Sequence, residues 1–274
     1  MAKLNLIKEF KNEIKTVDFA ALGIIDSNDN IHTLGTDSKI IGRVFEMLSQ
    51  PILEKIAKKH NLILITPESQ TVYPDFIMMK DEKDNKKIAI DIKTTYIESV
   101  DSQIKFTLGS FGSYLRNNTK NIEFPYTTFS KHYVIGFIYV RNDKAQQSKV
   151  FSFDERKKIE MPYKDVTVFI QEKYKIAGDK PGSGNTENIG SLSSSNIKNF
   201  INGNGPFSIL GEDIFNAYWK YYPKYRSQQK IYTSLKEFIE WINNNHQDLD
   251  LLNKKITYEE IKKAIDEYSK SFKS

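Results

Sequence analysis

Apolar residues recur along this chain at two different periods, and the switches between them outline the elements. Leu6, Ile7, Phe10 and Ile14 fall on one side of a helix over residues 4–14. Residues 17–25 read as a strand and residues 27–30 (SNDN) as a turn; residues 31–34 are a second strand able to pair back as a hairpin. Asp37 or Ser38 caps a helix expected to run to about Ser49, and Pro51 opens another that reaches His60. Residues 62–66, 73–80 and 87–95 read as strands, the last two joined by the polar loop DEKDN. Three more strands are predicted over 132–141, 149–153 and 166–171. The stretch 178–195 is rich in Gly, Ser and Asn, and reads as too polar and flexible for regular structure. Helices are predicted over 212–222 and 234–245, with a last one from about Tyr258. There Thr257 and Glu260 have the spacing of a capping box, and Ile261, Ile265, Tyr268 and Phe272 form a stripe. No internal repeat is visible. The pattern predicts a mixed α+β protein of the α/β kind, with a central mixed β-sheet flanked by helices.

Composition narrows the chemistry. The chain has 274 residues, enough for a large core, and its 39% apolar and 27% charged residues are ordinary for a globular protein. Cysteine is absent, which excludes disulfides, thiolate nucleophiles and Cys-ligated zinc. The four histidines, His32, His60, His132 and His246, are scattered with no metal-binding spacing, and read as surface or satisfied core residues. Any metal chemistry therefore falls to carboxylates, which favour a hard ion such as Mg²⁺. The formal charge of +5 says little about nucleic acid by itself; placement matters more. Charges every few positions at the start are unlike a signal peptide, and no apolar run approaches bilayer length. A cytoplasmic protein without membrane contact is expected.

The informative segment is YPDFIMMKDEKDNKKIAIDIKTTY, residues 73–96. On the second strand Ile88, Ile90 and Ile92 share one face by the period-two rule, and Ala89, Asp91 and Lys93 the other. A hairpin with the preceding strand would bring Asp75 alongside Asp91, so that two carboxylates and an ammonium converge. Such a cluster makes sense for phosphodiester hydrolysis. The two aspartates repel unless a divalent cation lies between them. A bound cation activates water, and a nearby lysine counters the charge developing on phosphate. The residues by themselves leave a second reading open, an exposed strand face carrying a solvated ion pair.

At these residues the chain resembles a known family. YPDF followed by KKIAIDIKTTY is similar to the active-site hairpin of EcoRV-type type II restriction endonucleases, members of the PD-(D/E)xK nuclease superfamily. Further similar stretches follow in order: LGTDSK at 34–39, FEMLSQPI at 45–52, KFTLG at 105–109, RNNTKNI at 116–122 and IAGDKPGSGNTENIGS at 176–191. The resemblance spans roughly residues 17–222 and implies a restriction-endonuclease-like fold. It implies Mg²⁺ held by Asp75, Asp91 and Glu46, all three catalytic together with Lys93.

The same resemblance places base recognition in Gly182, Ser183, Gly184, Asn185 and Thr186, with Gln70 approaching the minor groove. Glycines there allow close approach to base edges, Asn can pair bidentately with adenine, and a Thr methyl suits a thymine methyl. The sequence departs from the family's pattern at SQT around Gln70 and at Glu187, where the family has a threonine. Contacts to the DNA backbone are implied for Lys39, Thr94, Thr95, Thr107, Ser113, Asn118 and Lys120, groups that fix register rather than sequence. Residues 216–236 contain five Lys and Arg and no acid, interleaved with tyrosines. They read equally as a DNA-flanking arm or as a basic, partly buried helix end.

The resemblance further implies a homodimer meeting two-fold symmetric double-stranded DNA, with the hairpin around 17–35 pairing the subunits. Residues 1–245 would form the catalytic and DNA-binding domain and 246–274 a C-terminal helical extension. The implied site is GATATC, cut at its centre to leave blunt ends and 5′-phosphates. A cognate DNA methyltransferase is expected in the host, not as a bound subunit. The alternatives are a nuclease of the same superfamily acting in repair or junction resolution, and a non-catalytic DNA-binding protein on the same scaffold.

Overall fold

The computed structural model describes residues 4–69, 71–99, 101–182, 187–224 and 226–271. Helix α1 (Leu6–Glu13) begins at Asn5, whose side chain accepts from the Lys8 amide. Strands β1 (Gly23–Ile25) and β2 (Asn30–Leu34) form the expected hairpin. The first strand is much shorter than the predicted 17–25. Helix α2 (Ser38–Lys59) is capped by Asp37, whose carboxylate accepts from the Lys39 and Ile40 amides at 2.7 and 3.3 Å. It runs unbroken through Pro51, against the prediction of two helices. Proline removes one helical hydrogen bond, but the stripe Ile41, Phe45, Ile52, Leu53 and Ile56 is buried on both sides of it, so packing overrides the local cost.

Strands β3 (Ile63–Ile65), β4 (Phe76–Met79) and β5 (Lys87–Ile97) follow, then β6 (Thr107–Ser110), β7 (Phe129–Arg141), β8 (Gln147–Ser152) and β9 (Tyr163–Glu172). The central sheet has the order β3-β4-β5-β7-β9, with β5 and β7 parallel and the other neighbours antiparallel. β8 joins the first hairpin in a small separate sheet. After the short α3 (Lys173–Ile176), β10 (Ala177–Pro181) pairs with β11 (Asn188–Ser191), which pairs in turn with β6. The Gly-rich stretch expected to lack regular structure thus contains two strands. Its glycines permit close strand contact: a Cβ on Gly178 would meet the Ser191 carbonyl oxygen at 2.7 Å, and one on Gly190 that of Lys180 at 2.5 Å. The chain closes with α4 (Lys198–Asn202), α5 (Phe207–Leu210), α6 (Glu212–Tyr221), α7 (Leu235–Asn245), the hairpin β12 (Leu249–Asp250) and β13 (Lys255–Ile256), and α8 (Tyr258–Lys270). The Thr257–Glu260 capping box is present as predicted.

Two apolar cores sandwich the central sheet. One is built from α1, α2 and the face carrying Ile90 and Ile92. The other holds Ala89 on the opposite face of β5 and extends through α6, α7 and α8, where Ile261 and Ile265 are buried. A strand flanked by neighbours and covered on both faces cannot keep a solvated side. No helix among the described residues is long and apolar enough to cross a membrane.

Candidate active site

The β4–β5 register builds the site. Phe76 pairs with Ile90 and Ile77 with Ala89, and continuing that register by one residue sets Asp75 against Asp91. Asp75 lies just before β4, where its Oδ2 accepts from the Ile92 amide at 2.6 Å. Lys93 Nζ lies 2.7 Å from Asp91 Oδ2 and donates to the Ile92 carbonyl at 3.2 Å. The three signature groups therefore do converge. Asp91 is only 3% exposed, which removes the reading of a solvated ion pair on an open strand face.

Burial, reinforced by the charge of Asp91, pushes the Asp75 carboxyl from its ordinary value near 3.8 up to about 7, against the opposing pull of Lys93 and the Ile92 amide. For Lys93, burial acts downward, but the charges of Asp91 and Asp75 outweigh it and raise its pKa. The folded, metal-free chain holds a proton on Asp75 that the unfolded chain has released between about pH 4 and 7. Its stabilising contribution is complete below about pH 4 and lost as pH rises through about 7. Thermal melts in chelator should fall over that window, and Asp75→Asn, neutral at every pH, should flatten the profile. Parallel profiles for the two proteins would contradict this.

The site opens into a cleft of about 700 Å³ lined by Asp75 and Lys93, by Lys39, Gly42, Arg43 and Glu46 of α2, and by Thr94, Lys105 and Thr107. Glu46 faces the cleft paired with Arg43, a partner the sequence reading had not identified. Among the described residues no three His, Cys, Asp or Glu groups stand close enough to hold a metal together. The available donors are two hard carboxylates whose repulsion a cation would relieve. Asp91 Oδ2 is buried with the Lys93 ammonium 2.7 Å away. A divalent ion fits this set if water and phosphate oxygens complete its shell.

The other expected site residues are dispersed. Lys39, Thr94 and Thr107 share the cleft, whereas Thr95 follows Thr94 on the opposite face of β5. Ser113 is buried, its hydroxyl without a partner among the described residues. Asn118 accepts from the Thr127 amide at 3.0 Å, and Lys120 is exposed. Gly182 donates its amide to the Asn188 carbonyl at 2.8 Å. Ser183, Gly184, Asn185, Thr186 and Gln70 lie outside the described residues. Of the basic run, Lys220 donates to the Asp250 carbonyl at 2.7 Å, so that part packs against the C-terminal hairpin.

Lys173 gave no signal in the sequence, because a lone lysine reads as exposed. It is buried, donates to the Tyr114 hydroxyl at 2.7 Å and sits 4.6 Å from the Tyr73 ring centre. Burial pushes it down to about 7, with Asp91 opposing.

Comparison with known proteins agrees with this geometry. The profile of the restriction endonuclease EcoRV family matches residues 15–243. The chain is 44% identical over 222 residues to the type II restriction enzyme EcoRV of Escherichia coli, covering 80% of this chain and 89% of that protein.

Proposed function

Since this chain belongs to the EcoRV restriction endonuclease family, we propose that it is a type II restriction endonuclease whose cleft hydrolyses double-stranded DNA with Mg²⁺ at a palindromic hexamer, GATATC or a close relative. The observation that carries the chemical reading is the β4–β5 register, which opposes Asp75 to Asp91 beside the Lys93 ammonium. EcoRV-family endonucleases are metal-dependent. Asp75 and Asp91 would hold the ion, with Glu46 as an additional acid at the cleft wall. When bound, Mg²⁺ supplies Lewis acidity toward a phosphate oxygen and lowers the pKa of water.

Within that scheme Lys93 has two tasks. Its ammonium, kept charged by the two aspartates, donates to a phosphate oxygen whose negative charge grows during attack. It also orients the attacking water. Asp75 would hold the cation as its ionised carboxylate, giving up the proton that burial otherwise retains. The hydroxyls of Thr94 and Thr107 and the ammonium of Lys39, all in the cleft, would grip phosphates, with Thr95, Ser113, Asn118 and Lys120 as further backbone contacts. Residues 182–186 would read bases in the major groove, and Gln70 would approach the minor groove. A central TA step unstacks readily, so DNA bending adds discrimination.

Cutting both strands of a palindrome calls for two copies related by a two-fold axis, and we propose a homodimer. Ile24, Ile25 and Val150 support it: they leave 59%, 55% and 55% of their surfaces exposed on the small β1-β2-β8 sheet. A methyltransferase protecting the same site would accompany the enzyme in its host without binding it. Digestion of a sequenced plasmid with Mg²⁺, with and without chelator, followed by sequencing of the ends, tests the proposal. Blunt ends centred in GATATC with 5′-phosphates are expected only with the metal. Staggered ends, or cuts at unrelated sequences, would refute that specificity. Preference for branched DNA would point to a repair nuclease instead.

A further inference from the structure

Arg116 occupies a joint between three segments that lie far apart in sequence. Its guanidinium donates from Nε to the Lys220 carbonyl at 3.1 Å and from Nη2 to the Tyr222 carbonyl, gripping the C-terminal end of α6. Such an end carries unsatisfied carbonyls and partial negative charge, which suits a cation. The remaining arm, Nη1, donates to Glu187 Oε2 at 3.2 Å. Both side chains are largely removed from water, so solvent weakens the pair less than an open surface contact.

Glu187 is held from a second side. Its carbonyl accepts from the Phe111 amide at 2.9 Å, and from the Gly112 amide and the Ser110 hydroxyl at longer range. The approach to Gly112 is so close that an added Cβ would lie 1.7 Å from Glu187 Oε2 and 2.8 Å from Glu187 Cβ. The glycine makes room for the acid. One residue further, Asn188 receives the Gly182 amide, which closes the base of the segment between β10 and β11.

We propose that Arg116 and Glu187 are positioning residues for site discrimination: their ion pair locks Glu187, at the end of the segment 182–188 where β11 begins, to the end of α6. The proposal rests on the reading of residues 182–186 as the base-recognising element. A segment with fixed ends loses less entropy on meeting the correct base edges, and it adapts less readily to wrong ones. The same arginine holds the residues leading into the basic run Lys224, Arg226 and Lys230. Phosphate engagement there and base reading by residues 182–186 thus share one mechanical anchor.

Two variants test this by independent routes. Glu187→Ala removes the carboxylate, and Gly112→Ala displaces it while keeping both partners. For each, kcat/KM is measured on duplexes carrying the cognate hexamer and on duplexes with one base pair changed. Hydrogen exchange at the Phe111 and Gly112 amides (the Phe111 amide alone in Gly112→Ala, where the substituted residue differs) is followed in the DNA-free protein. Both variants should lower the cognate-to-altered ratio by about tenfold, the scale of coupling between contacting residues. Both should speed exchange at the amides followed, and Glu187→Gln, which can still accept from Arg116, should restore most of both properties. Faster exchange with an unchanged ratio, or equal losses on both duplexes, would overturn the proposal while leaving the enzymatic reading intact. A wild-type protein that prefers no hexamer would overturn the proposed function, and this inference with it, whatever the exchange shows.

Discussion

Asp91→Ala is expected to lower Mg²⁺-dependent strand cleavage by more than about 10³-fold while the chain stays folded. The carboxylate is buried, with the Lys93 ammonium 2.7 Å from its Oδ2. Deleting it therefore removes charge repulsion with Asp75 as well as the ion pair with Lys93, and the two changes offset each other in the metal-free protein. The unfolding free energy should stay within about 1 kcal/mol of wild type. Calorimetric titration with Mg²⁺ should show the loss of binding directly. Lys93→Met makes the opposite comparison. It is expected to cost about 10²–10³-fold in cleavage. It should also lower metal-free stability, since Asp75 and Asp91 then face each other without their cation. Substantial cleavage by Asp91→Ala, or a collapse of its fold, would contradict the assignment of that carboxylate to the ion.

Ending the chain at Asn245 is expected to be the most damaging structural change. The segment removed lies beyond the family match, which stops at residue 243, yet it is woven into the core. Leu249, Ile256, Ile261 and Ile265 are each at most 4% exposed, and α8 packs on α5 and α7. Burying such side chains is worth about 1.5–3 kcal/mol apiece, so four of them match much of the roughly 5–15 kcal/mol by which a domain is stable. Loss of the segment would also free Lys220 from the Asp250 carbonyl and Asp213 from Lys254, a pair 2.5 Å apart. The truncated protein should show a weakened near-ultraviolet circular dichroism signal and a broad, low-temperature melt. A cooperative transition at the wild-type temperature would refute this account and make residues 246–274 a dispensable appendage.

The sequence by itself determined much of the alternation of strands and helices, the caps at Asp37 and Thr257, and the pairing of Asp75 with Asp91. Those signals are local: a period of two or 3.6, a side chain within four positions of the amide it accepts from, a loop short enough to force a hairpin. It also carried the family resemblance that the matches bear out. Tertiary structure decided the rest. It held α2 straight through Pro51, because a buried stripe on both sides outweighs one missing hydrogen bond. It turned residues 177–181 and 188–191 into strands, because β6, whose Ser110 faces Asn188 and whose Thr107 faces Gly190, supplies a ladder to β11, and β11 supplies one to β10. It buried Lys173 and joined Arg116 to Glu187 across 71 positions. Contacts of that kind depend on which surfaces meet when two cores close over one sheet. No window of neighbouring residues contains that information, and so the chemistry of the hairpin was legible beforehand while its supports were not.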